Sequence, residues 1–229
     1  RPPRSTQSRS SAASDVYKRQ SLRKSEKTAE SRSNLYTYFS LLLGSPHEIA
    51  LESKITFNDS LIRGLPYSFE IGDLIEEYSG IEAVDLRRQY SALFEVGDEG
   101  PPAPIREDLF LLQPAKLRED LVRFYDYFGY TLNDEFQWQM DHLSIELEFM
   151  HFLSFQELES NDNKLSFQLG QLDFSKKHLL NWVPDLSATI NRLDNGDIYS
   201  KIVVELNNFL LIDNNWQKET ITNIHITGD

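Results

Sequence analysis

One stretch constrains the fold more than any other: Gln137–Glu159, the longest helical pattern in the chain. Its apolar positions include Leu143, Ile145, Leu147, Phe149, Met150, Phe152, Leu153 and Phe155. Placed on a 3.6-residue period, these side chains cover most of the helix circumference. A helix that is apolar nearly all round must be sheathed by other elements. The segment therefore predicts a central, buried helix.

The sheath is legible in the same way. Asn34–Gly44 is a short apolar helix with Asn34 as candidate N-cap and Gly44 and Pro46 as stop signals. Ile71–Tyr78 is amphipathic and ends at Gly80. Val84–Val96 puts Leu86, Tyr90 and Leu93 on one face, and Lys116–Tyr130 does the same with Leu117, Leu121, Phe124 and Phe128. Asp173–Leu193 is helical with an interruption expected at Pro184, and Ile198–Ile212 closes the series. Gly97-Asp-Glu-Gly100-Pro101-Pro102-Ala-Pro104 is the strongest loop signal. Period-two alternation is confined to a weak trace in Ile221–Ile226. The expected fold is all-α: a single-domain helical bundle of about eight to ten helices over residues 34–212, followed by a polar tail, 213–229.

The N-terminus reads differently. Residues 21–33 are polar and aperiodic, and are expected to be disordered. Residues 10–20 (SSAASDVYKRQ) back-translate into a string resembling a transposase adapter used in sequencing libraries, and residues 1–6 into one resembling a flow-cell primer. Residues 1–20 are therefore expected to be a translated adapter and are set aside from fold reasoning.

That exclusion sharpens the charge. The full chain carries 23 basic and 36 acidic residues, net −13; without residues 1–20, which hold five bases and one acid, the net charge is −17. Such an acidic surface repels nucleic-acid phosphates and anionic membranes and suits a basic partner. With no cysteine in the chain, thiolate metal sites, disulfides and Cys nucleophiles are excluded. No apolar run is long enough to span a bilayer.

Three constellations carry possible chemistry. His142, Glu146, Phe149 and Leu153 share one stripe of the central helix, with Asp141 at its start. Two polar groups on an apolar stripe need partners. They form either a satisfied polar cluster near a helix start or a polar patch lining a groove. Glu148-x-x-His151 has the spacing of di-iron helices, which require two such motifs. None of His47, His142, His178 and His225 has a glutamate three residues before it. The Pro-rich loop runs into Pro104-Ile105-Arg106-Glu107-Asp108, a stiff lip that could wall a peptide groove. No phosphate loop, dinucleotide fingerprint or nucleophile elbow is present.

Four blocks in this order resemble the TorD/DmsD/NarJ group of chaperones for molybdenum oxidoreductases, nearest the branch serving type II enzymes of the dimethyl sulfoxide reductase family. They are Tyr90…Leu93-Phe94-Glu95-Val96-Gly97…Gly100-Pro101-Pro102-Ala103-Pro104…Glu107-Asp108; Leu121…Phe124-Tyr125…Phe128-Gly129; Asp141-His142-Leu143…Glu146; and His178-Leu179…Trp182-Val183-Pro184. Met140 stands where the family often has proline, and Ile105-Arg106 where its loop has a later aromatic. The resemblance implies a cytoplasmic, non-enzymatic chaperone, monomeric or dimeric, with no catalytic residue, resident metal or cofactor. Its partner would be the apo catalytic subunit of a molybdenum oxidoreductase and its twin-arginine signal peptide. It assigns Tyr90, Phe94, Pro104 and Ile105 to apolar contacts, and Glu107, Asp108 and Asp141 to the basic end of the peptide. His142 and Glu146 would shape the groove or hold the loop. The alternatives are a small metalloenzyme built on Glu148 and His151, and a scaffold without a peptide site.

Overall fold

In the computed structural model, residues 16–48, 55–112, 114–133, 139–160, 162–193 and 196–226 are described. Nine α-helices run through them: α1 (Ser25–Leu43), α2 (Gly72–Ser79), α3 (Ala83–Phe94), α4 (Glu107–Leu111), α5 (Pro114–Phe128), α6 (Leu143–Glu159), α7 (Lys164–Phe174), α8 (Leu180–Leu193) and α9 (Ile198–Thr220). A two-stranded antiparallel ribbon joins β1 (Val16–Ser21) to β2 (Ile221–Ile226), outside the helical core. The fold is one all-α domain, as the periodicities require.

Helix α6 is the axle. Leu143, Leu147, Phe149, Met150 and Leu153 are fully buried. Phe149 alone meets the rings of Tyr125, Phe128, Tyr130, Phe152 and Phe174. On its other side α6 packs along α1, whose Leu35, Tyr36, Phe39, Leu42 and Leu43 are all buried. Phe128 lies over Gly170 of α7, where an added Cβ would come within 2.3 Å of the ring. Bare backbone at that point is what lets α5 close on α7.

Several boundaries differ from expectation. Residues 25–33, expected to be disordered, form the first turns of α1, and Asn34 is interior to that helix. Residues 213–220, expected to be tail, form the last turns of α9. Both errors have one cause. Arg32, at 0 % exposure, donates Nε to Asp213 Oδ1 at 2.6 Å and Nη2 to Oδ2 at 2.9 Å. Tyr36, Tyr67 and Gln217 also donate to the Asp213 carboxylate. Glu157 of α6 accepts from Ser25, Gln168 and Gln171 and pairs with Arg23 and Arg32. A polar interior satisfied in this way looks, residue by residue, like a solvated surface. Helix α6 starts at Leu143 because the His142 side chain accepts from the Ser144 N–H and caps it. The break expected at Pro184 falls earlier, in a π-helical turn at Ser175–Leu179. Pro184 itself sits in the first turns of α8, where its missing N–H forfeits only the bond to the Leu180 carbonyl.

Candidate functional site

The Pro-rich loop folds back over the end of α3. An added Cβ at Gly97 would lie 2.0 Å from the Gly100 carbonyl oxygen, and Gly100 has φ +106°, so both glycines are needed for the turn. Ala103 N–H then donates to Leu93 O. The chain next pairs, strand-like, with the residues that enter α6: Leu143 N–H donates to Ile105 O at 3.1 Å and Glu107 N–H to Asp141 O at 3.0 Å. This short bridge ties the lip, residues 104–112, to the start of the axle.

Side chains reinforce the tie. Asp141 is fully buried and accepts from Arg106 Nη2 at 2.9 Å and Nε at 3.3 Å. It also accepts from the backbone N–H of Asp108 at 3.2 Å, so it caps α4 from a distant segment. Arg106 Nη2 reaches Asp108 as well, at 3.1 Å. Burial alone would push the Asp141 carboxyl up, but hydrogen bonds from Asp108 and Arg106 outweigh it and hold the pKa below its usual value. Burial and the adjacent Asp141 raise that of Asp108. Asp141, held against the guanidinium, is thus the stronger acid of the pair.

A second cluster lies beneath. His178 Nδ1 is 2.9 Å from Glu107 Oε2, and Trp182 Nε1 donates to Glu146 Oε2 at 3.4 Å. Burial and the neighbouring Glu107 carboxyl raise the Glu146 pKa far above the carboxylate range, which keeps it protonated. Glu146 Oε1 and His178 Nε2 are buried without hydrogen-bond partners. In a third cluster, Ser144 N–H donates to His142 Nδ1, which leaves Nε2 protonated and donating to the Tyr90 hydroxyl at 2.9 Å. Burial lowers the His142 pKa to about 4, so the ring is neutral. Tyr90 in turn stacks edge-on with Phe94 and Tyr199.

The outer side of the lip is apolar. Leu109 and Leu112 are exposed, Leu112 at 83 %. Leu112 has φ +55°, a left-handed conformation that costs a branched residue about 1–2 kcal/mol. Two grooves stand out among the described residues. One, of about 700 Å³, lies between α5 and the α7–α8 pair and includes Phe124, Phe128, Lys177 and His178. The other, of about 620 Å³, lies between α2, the end of α8 and α9.

A family profile described as nitrate reductase delta subunit matches residues 68–188. The span runs from just before α2 into α8 and contains the lip and all three clusters. The chain is 30 % identical over 177 residues to the perchlorate reductase assembly chaperone protein of Dechloromonas aromatica strain RCB, covering 70 % of this chain and 78 % of that one. The chain belongs to the nitrate reductase delta subunit family. It is also 35 % identical over 111 residues to the chlorate reductase assembly chaperone protein of Ideonella dechloratans, covering 44 % and 54 % of the two chains. With the chaperone protein TorD of Aliivibrio salmonicida strain LFI1238 it shares 24 % over 202 residues, 80 % and 93 % of the two. These members of the TorD/NarJ family are named for assembly, not catalysis, in agreement with the non-enzymatic reading of the sequence.

Within the family's shared span, the structure brings together the residues that the motifs singled out, but turns them inward. Tyr90, Phe94, Ile105, Glu107, Asp108, Asp141, His142 and Glu146 are all buried, and Pro104 is half-buried. Glu107, Asp108 and Asp141 were expected to face a basic peptide; here they face Arg106, His178 and one another. The His142 side chain meets Tyr90 and Ser144, and that of Glu146 meets Trp182. Arg106 was noted only as a departure from the family pattern, and it proves to be the counter-ion of the site. Its position beside two acids was the available signal. The Glu148–His151 pair is not assembled as a metal centre: Glu148 is exposed, and His151 Nδ1 contacts the Ser33 and Thr37 hydroxyls of α1 at 2.8 Å each. Among the described residues, no group of three or more carboxylates and histidines is placed to hold a metal.

Proposed function

We propose that the protein is a cytoplasmic, system-specific chaperone for the catalytic subunit of a molybdenum-bis-pterin oxidoreductase. It holds the apo subunit by its twin-arginine signal or N-terminal region and assists cofactor insertion before export. The observation that carries this reading is family membership, with relatives named as assembly chaperones of perchlorate and chlorate reductases. The chemistry of the site agrees with it. Its acids are paired within the fold, Asp141 with Arg106 and Glu107 with His178, which suits a scaffold that positions a contact surface. No helix among the described residues is long and apolar enough to cross a membrane.

In this reading the polar clusters position the lip, and the lip presents the contact. Leu109 and the strained Leu112 offer apolar surface beside Pro104, on a segment clamped at its base by Asp141. Backbone strain held by surrounding structure is a feature of ligand clamps. A scaffold without a peptide site is the second reading, favoured by the burial of the acids.

Co-purification separates the two. The full chain is co-expressed with a candidate catalytic subunit, either intact or lacking its N-terminal segment. Capture of the intact subunit alone supports signal binding. Equal capture of both supports the scaffold. Capture of neither, across the molybdenum reductases of the source, refutes the chaperone reading.

A further inference from the structure

Helix α4 is built inside out. Its buried residues are the acids Glu107 and Asp108, whereas Leu109 is exposed, Phe110 and Leu111 are only half-buried, and the C-cap Leu112 is left-handed and exposed. Acids are almost never fully buried unless paired, and here the pairing is uneven. Asp108 shares Arg106 with Asp141, and the Arg118 charge of α5 also acts on it. Glu107 has His178, from the π-helical turn. The charges acting most strongly on Glu146 are both acids, Glu107 and Asp141. Trp182 of α8 gives Glu146 one hydrogen bond, and Tyr125 of α5 feels its charge. Apolar anchorage is slight: Phe110 meets the Trp182 ring, with centroids 5.7 Å apart. A segment held by so little buried apolar surface belongs to the part of a fold that opens locally before the core does.

We propose that α4 is a proton-linked flap: it lifts off the body as a local unit, and the Glu146 carboxyl gives its proton to water as it opens. The flap swings between Ile105, which stays buried in the core, and Leu112, whose left-handed strain is relieved. Opening breaks the Glu107–His178 and Arg106–Asp108 contacts, unseats Phe110 from Trp182 and brings water to Glu146. In the closed form burial and Glu107 keep the Glu146 carboxyl protonated; in the open form it ionises as an ordinary carboxyl does. Because opening releases a proton, rising pH favours it, so the flap is shut more firmly near pH 6 than near pH 8. The flap is a property of the fold, independent of what the lip contacts.

Amide hydrogen exchange on the full chain, resolved by NMR, tests the flap. The reporters are the amides of Glu107, Asp108 and Phe110, which in the closed form donate to the Asp141 carbonyl, the Asp141 carboxylate and the Arg106 carbonyl. The amide of Leu153, buried in the middle of α6, reports global unfolding. Corrected for intrinsic exchange, the three lip amides should be less protected than that of Leu153. Their protection should fall about 5- to 10-fold per pH unit between pH 6.5 and 8, the slope of one proton released on opening. Glu146→Gln keeps the shape of the side chain but cannot ionise, so lip protection should be higher at pH 8 and lose that slope. Lip amides that exchange no faster than Leu153, wild-type protection that is flat with pH, or an undiminished slope in Glu146→Gln would each overturn the proposal.

Discussion

Replacing Asp213 with asparagine should destabilise the whole molecule far more than its place in a polar C-terminal segment implies. The carboxylate is fully buried and accepts from five donors: two on Arg32 and one each on Tyr36, Tyr67 and Gln217. Burial would raise its pKa, but Arg32 and the hydroxyls pull it from 3.8 down to about 2. At about 1.36 kcal/mol per pH unit, that depression corresponds to roughly 2.5 kcal/mol of stability. Removing the charge also leaves Arg32 buried against Glu157 alone, and breaking a buried pair costs about 3–5 kcal/mol. Asp213→Asn should therefore lower stability by about 2–5 kcal/mol. In a chain of this size that is a fall in Tm of roughly 5–20 °C. The sign with pH follows from the depressed value: the contribution is present above the unfolded pKa, near 4, and is lost as pH falls toward 2. Thermal melts by circular dichroism at pH 7, and acid titration of wild type and variant, measure both. A Tm within about 2 °C of wild type at pH 7, with the same acid midpoint, would refute the assignment of this network as the tie between α1, α6 and α9.

Four shorter predictions follow from other parts of the fold. Glu146→Gln should be nearly neutral in stability at or below about pH 4, where the carboxyl is protonated in both states; since its folded pKa is raised, the wild type loses stability as pH climbs above that, and the variant should be the more stable of the two at pH 7. His142, held neutral with a pKa of about 4, contributes stability that is lost as pH falls from about 6.5 toward 4; His142→Asn should flatten that limb of the pH–stability curve. Gly170→Val drives a side chain into the Phe128 ring and should cost about 1–3 kcal/mol, read as a lower urea midpoint at unchanged slope. Deleting residues 1–20 spares Arg23, Ser25 and Arg32 and should move Tm by no more than about 2–4 °C, the shift of about 1 kcal/mol; a larger drop would contradict the reading of that segment as foreign to the fold.

The helical architecture was legible because apolar periodicity reports which faces are buried. Leu35, Phe39, Leu86, Leu121 and Leu153 behave as their spacing requires. The same logic misread both ends of the domain. Arg32, Ser25, Asp213 and Gln217 are buried as a hydrogen-bonded set, and no local pattern distinguishes a buried Arg from a solvated one. The candidate site shows the same division. Motif order identified Tyr90, Glu107, Asp141, His142 and Glu146 as a group, and the fold does gather them. Their direction was not legible, because it depends on Arg106 meeting Asp141 and on His178 meeting Glu107 across the fold.

Sequence alone thus determined the fold class, the central place of α6, the loop that must turn at Gly97 and Gly100, and the acidic character of the surface. Each is a local or additive property: periodicity, backbone freedom, summed charge. Tertiary structure alone decided which acids are spent inside and which stay at the surface. That choice rests on pairing between residues 35 to 181 positions apart, Asp141 with Arg106 and Asp213 with Arg32. A carboxylate in water and a carboxylate against a buried guanidinium are the same letter in a sequence; the Coulomb energy that separates them exists only after the chain has folded.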